Sequence, residues 1–107
     1  MGQLKYADEV ARIHVPDRVL AHLEIVITSK FRREEAFLFT WRVDLADSGG
    51  RVSIWLDSRI PLKFEYLKEG AVTPNRAWLD LLFESANSPG GLLLLEEPDT
   101  HPATGQA

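Results

Sequence analysis

Apolar and polar positions along the chain follow two periods, and each change of period marks an element. Gln3 to Ala7 and Val10 to Val15 are short runs separated by Asp8-Glu9, and Arg12, Ile13, His14 and Val15 alternate as in a half-buried strand. An opening hairpin is expected, with its register left open because Asp-Glu is a weaker two-residue turn than Asp-Gly. From Pro16 the period lengthens: Val19, Leu20, Leu23, Val26, Ile27 and Phe31 recur at three- and four-residue spacing, predicting a helix over 16–32. Pro16 and Asp17 suit its first turn, and Lys30, Arg32 and Arg33 suit its C-terminal end, where cations meet the negative pole of the helix dipole. His22 is read as a surface residue of this helix.

Alternation returns at Phe37, Phe39, Trp41 and Val43, which share one face of a strand. Asp47-Ser48-Gly49-Gly50 is a turn cluster, after which Val52, Ile54 and Leu56 alternate with Arg51, Ser53, Trp55 and Asp57. Ser58-Arg59-Ile60-Pro61 makes a further turn into Leu62, Phe64 and Tyr66, so the middle of the chain reads as a three-stranded meander. Gly70 ends it. Thr73-Pro74 then opens a second helix, with Thr73 as N-cap and Pro74 at the first helical position, carrying Trp78, Leu81 and Leu82 on its apolar stripe. Leu92 to Leu95 is a last strand, buried on both faces or set at a sheet edge. The order β-β-α-β-β-β-α-β predicts an α+β domain over 1–97, with one antiparallel sheet of five to six strands and two helices. The tail 98–107 holds no large apolar residue and is expected to be disordered.

Composition narrows the function classes. At 107 residues, 45% hydrophobic and 26% charged, the chain fits one core. It has no cysteine, which removes disulfides, thiolate metal sites and cysteine nucleophiles together. No apolar segment of about 7–15 residues follows Met1, and no run reaches the ~20 apolar residues of a membrane span, so a cytoplasmic protein without membrane contact is expected. The net charge of −4 is uneven: residues 1–63 carry ten Lys/Arg against nine Asp/Glu, residues 64–107 two against seven. An acidic second half argues against a broad nucleic-acid footprint.

Motifs for catalysis are missing. His14, His22 and His101 fall on a strand, a helix and the tail, giving no ligand pair, so neither metal nor cofactor is expected. Neither phosphate-loop pattern occurs, no serine lies in a G-x-S-x-G elbow, and Gly49-Gly50 and Gly90-Gly91 read as turns. The candidate site is therefore a surface. If Phe37, Phe39 and Trp41 point inward, then Leu38, Thr40, Arg42, Arg51, Ser53, Trp55, Lys63 and Lys5 point outward. An indole among cations can be a plain Arg42–Trp55 cross-strand stack, a platform for a base or another ring, or a surface covered by a second copy. Lys30, Arg32 and Arg33 form a secondary basic patch, or a solvated helix end partly matched by Glu34 and Glu35.

The stretch Ile13-His14-Val15-Pro16-Asp17-Arg18-Val19-Leu20-Ala21-His22-Leu23, with Phe31-Arg32-Arg33, Ser53-Ile54-Trp55-Leu56, an opening Met1-Gly2-Gln3-Leu4-Lys5-Tyr6 and Gly90-Gly91-Leu92-Leu93, resembles a small family of uncharacterised actinobacterial proteins. The resemblance covers about residues 1–97, and proteins of that family often carry the label ATP-dependent DNA ligase. Such a ligase needs a nucleophilic lysine in Lys-x-Asp-Gly. The lysines here read Lys5-Tyr6-Ala7-Asp8, Lys30-Phe31-Arg32-Arg33, Lys63-Phe64-Glu65-Tyr66 and Lys68-Glu69-Gly70-Ala71, and none matches. The resemblance thus implies an accessory or remnant module, with no catalytic residue to carry over. The expectation is a non-catalytic binding or assembly module acting through Leu38, Arg42, Arg51, Trp55 and Lys63. Its expected partner is a protein, including a second copy, with single-stranded nucleic acid the alternative.

Overall fold

A computed structural model of the chain describes residues 2–8, 11–43 and 50–98. Its elements are β1 (Gly2–Tyr6), β2 (Ala11–Val15), α1 (Asp17–Arg32), β3 (Phe37–Val43), β4 (Gly50–Leu56), β5 (Leu62–Glu65), α2 (Arg76–Ala86) and β6 (Leu92–Leu93), in the order the periodicity predicts. The α+β class holds. Glu9, Val10, all but Gly50 of the turn expected at 47–50, and the tail beyond Pro98 lie outside the described residues.

The strands do not form one sheet. They form two of three strands each, β2-β1-β5 and β4-β3-β6. The hairpins β1–β2 and β3–β4 are antiparallel, with Leu4 opposite Ile13 and Phe39 opposite Ile54. The expected meander breaks after β4. In the 57–61 turn Ile60 N–H donates to Asp57 O, and the Asp57 carboxylate accepts from the Arg59 amide and guanidinium. Pro61 O then receives Ala7 N–H, which delivers β5 to the free edge of β1, with Leu4 opposite Phe64. Alternation had fixed which side of β5 is apolar, and either sheet could bury it. The second sheet is also not purely antiparallel, because β6 runs parallel to β3 with Phe39 opposite Leu92. The Asn87–Gly91 turn returns the chain from α2 in that direction. β6 stands at the sheet edge, with Leu92 buried and Leu93 exposed.

A single core lies between the sheets and helices. Leu20, Leu23, Val26 and Ile27 of α1 meet Trp78 and Leu82 of α2, Phe37, Phe39 and Trp41 of β3, and Leu4, Ile13 and Val15 of the first sheet. Full burial of a side chain such as Leu20 or Leu82 contributes roughly 1.5–3 kcal/mol. Gly2 belongs to this packing, since a methyl there would sit 2.6 Å from the Glu65 carbonyl oxygen and 2.8 Å from Leu20. The second helix starts later than Thr73-Pro74 suggests: its N-cap is Asn75, whose side chain accepts from Trp78 N–H.

Candidate functional site

The outer face of the β4-β3-β6 sheet is built by alternation and register together. With Phe37, Phe39 and Trp41 buried, Leu38, Thr40 and Arg42 turn outward, and the register sets Trp55, Ser53 and Arg51 opposite them. Three rows result: an apolar one of Leu38 and Trp55, a hydroxyl one in which Thr40 and Ser53 lie 2.7 Å apart, and a cationic one of Arg42 and Arg51. Leu93 joins the middle row beside Thr40. Trp55 is 52% exposed and Leu93 45%, so this face is uncovered where the opposite face is packed. Gly91, at φ +82°, permits the close approach of β6, because a methyl there would lie 2.4 Å from the Leu38 carbonyl oxygen.

Several expected neighbours are separated. Arg42 stands opposite Arg51, and Trp55 opposite Leu38, so the Arg42–Trp55 stack does not form. Four residues along a strand put the two rows about 13 Å apart. Lys63 and Lys5 are not part of this face either: they belong to the other sheet, opposite each other, each paired with Glu65 at 3.0 and 3.2 Å. Those ammonium groups hold the Glu65 carboxyl below its ordinary range, Lys63 more than Lys5.

The secondary patch also divides. Lys30 is buried, with its ammonium 2.7 Å from Asn87 Oδ1, 3.0 Å from Glu35 and over the Phe37 ring at 5.4 Å. It ties the end of α1 to the end of α2, and its hydrogen bond lowers the Glu35 carboxyl pKa. Arg33 pairs with Glu35 at 3.3 Å, and Arg32 is exposed. Apolar packing on a lysine stem explains how a cation at a helix end can be internal.

Sequence reasoning missed His22, which is fully buried rather than on the surface. Its spacing from Val19 and Val26 places it on the apolar stripe of α1, and that was the available signal. Nδ1 lies 2.8 Å from Arg18 O and Nε2 accepts from Asn75 N–H at 2.9 Å, so these partners require the proton on Nδ1. The ring rests on Trp78, centroids 4.4 Å apart. Around it Arg18 donates from both Nε and Nη2 to the Glu97 carboxylate, Asn75 Nδ2 donates to Glu97 and Pro98 O, and Trp78 Nε1 donates to Leu95 O. The fully buried imidazole has both nitrogens committed to backbone, and the Asn75 and Trp78 it touches in turn clamp residues 95–98. Among the described residues no group of three or more His, Asp or Glu could hold a metal ion, and no helix is long and apolar enough to cross a membrane.

A family described as Domain of unknown function (DUF7882) matches residues 1–97, from before β1 through β6 to Glu97. The chain belongs to this family. Both the DUF7882 outer face and the His22–Asn75–Glu97 clamp fall within the matched residues. No curated protein and no solved structure matches the chain.

Proposed function

We propose that the chain is a non-catalytic binding module that takes an acidic protein segment on the outer face of the β4-β3-β6 sheet, in a cytoplasmic setting. The observation that carries the reading is the directly opposed pair Arg42 and Arg51. Like charges directly across a ladder destabilise it, and among the described residues neither arginine has an ion-pair or hydrogen-bond partner. A carboxylate-bearing segment would relieve that repulsion with charge-assisted, bidentate hydrogen bonds. Both arginines line a cleft of about 460 Å³ that also takes in Gly50, Leu93 and Leu95, and the Leu38–Trp55 row offers apolar area further along the same face. A negative whole chain is a poor match for a polyanion but tolerates a short acidic segment at a local cationic row.

The test is titration of the chain with a short fluorescein-labelled acidic peptide, hexa-L-glutamate. Binding that weakens with salt and is lost in an Arg42→Ala, Arg51→Ala double variant supports the reading, and absence of binding at low salt overturns it. One observation favours a second reading, single-stranded nucleic acid and hence an accessory role beside the ligases whose label the resembling proteins carry: the half-exposed Trp55 indole shares its face with the cationic row. Quenching of tryptophan fluorescence by oligo(dT) would select it. Ligase catalysis is not part of either reading, because no lysine stands in the required motif.

A further inference from the structure

We propose that β4 is a self-recognition edge: two copies of the chain pair their β4 strands antiparallel about a two-fold axis at Ser53, fusing two three-stranded sheets into one of six strands. The proposal concerns the backbone edge of the sheet, and it shares Arg51 and Trp55 with the outer face.

β4 is the terminal strand of its sheet. In a strand the N–H and C=O of one residue point to the same side, and the next residue's point to the other. Trp55 O accepts from the Tyr6 hydroxyl at 2.6 Å, so Trp55, Ser53 and Arg51 direct their backbone groups away from β3. Thr40 O, which receives Leu94 N–H, shows the matching alternation on the β6 side of β3. By that alternation the amide and carbonyl of Arg51 and Ser53, and the amide of Trp55, face away from β3, and among the described residues no turn or loop backbone bond reaches them. Exposed edges of this kind are normally blunted by Lys, Pro, inward-pointing charge or a short strand. The edge strands β5 and β2 fit that description, being four and five residues long with Lys63 and Glu65 on one and Arg12 and His14 on the other. β4 has seven residues, Gly50 to Leu56, without Lys, Pro or an acid.

The side chains favour a second copy as the occupant. Centred on Ser53, the pairing sets Arg51 opposite the partner's Trp55 and Val52 opposite the partner's Ile54. On the outer face each half-exposed indole would then receive a guanidinium, a cation–π contact, and Arg51 would gain an attractive neighbour on the side away from Arg42. On the inner face two partly buried aliphatic side chains would cover each other. The register is specific, because centring on Arg51 would oppose like charges and centring on Trp55 would leave most of the edge unpaired. Trp55 O has a second lone pair beside the Tyr6 hydroxyl, so that contact need not be given up.

Sedimentation velocity across a concentration series of the full chain is the test, with Ser53→Lys and Ser53→Glu as probes. Ser53 is exposed and its hydroxyl touches Thr40, so both variants should keep the native circular dichroism spectrum. The expected result is a reversible dimer whose dissociation constant rises about tenfold or more in each variant alone, by like charges across the axis, and recovers when the two variants are mixed. A wild-type chain that stays monomeric throughout overturns the proposal. So does a dimer indifferent to both substitutions, or a mixture that recovers nothing.

Discussion

The imidazole of His22 is internal, and its Nε2 is the acceptor for the Asn75 amide. Replacing it with Leu keeps the volume and orphans that amide, so His22→Leu is expected to cost ~1–3 kcal/mol, read from urea unfolding. Close by, the Glu97 carboxyl is held down to about 2, first by the Arg18 guanidinium and then by Asn75. A carboxyl whose folded pKa lies below its ordinary 4.5 gives its full stabilisation above that value and loses it as pH falls toward 2. Asp57, held to about 2 by Arg59, acts in the same direction. Stability measured by urea midpoint should therefore decline between pH 4.5 and 2, and Glu97→Gln should flatten that decline while lowering the neutral-pH value. High salt should shrink the effect, because the pair is accessible to solvent.

The start of α2 shows how an element's boundary is chosen. Thr73-Pro74 is the better opening by local preference, yet Asn75 caps the helix. Asn75 is held on three sides, with its amide on His22, its Nδ2 on Glu97 and Pro98 O, and its Oδ1 on Trp78 N–H. Tertiary partners thus outweigh a local signal worth ~1 kcal/mol. Asn75→Ala is expected to destabilise by ~1–2 kcal/mol, while Thr73→Ala, which leaves the Thr73 carbonyl to Arg18, should stay within about 0.5 kcal/mol. Paired thermal melts of the two variants check this, and equal losses would return the cap to Thr73. β5 follows the same logic at the level of pairing: its pattern Leu62-Lys63-Phe64-Glu65 names a buried face and no neighbour.

At the scale of the molecule, the two sheets share a core and are bridged at one edge by the Tyr6 hydroxyl on Trp55 O. Tyr6→Phe removes that bridge without altering the ring packing and should cost ~0.5–1.5 kcal/mol of global stability, measured by guanidinium unfolding. The uncovered outer face has a like-charge row at one end and an indole at the other, an arrangement that depends on a register periodicity does not encode. By itself the sequence determined the element order, the span of α1 and the inward faces of β3 and β4, because each follows from spacing within one segment. Only the tertiary structure decided that β5 leaves the meander for β1, that β6 runs parallel to β3, that Arg42 meets Arg51 instead of Trp55, and that Lys30 and His22 are internal. The reason is physical: alternation fixes which way a side chain points, whereas the strand or helix it meets is set by the packing of distant segments against one another.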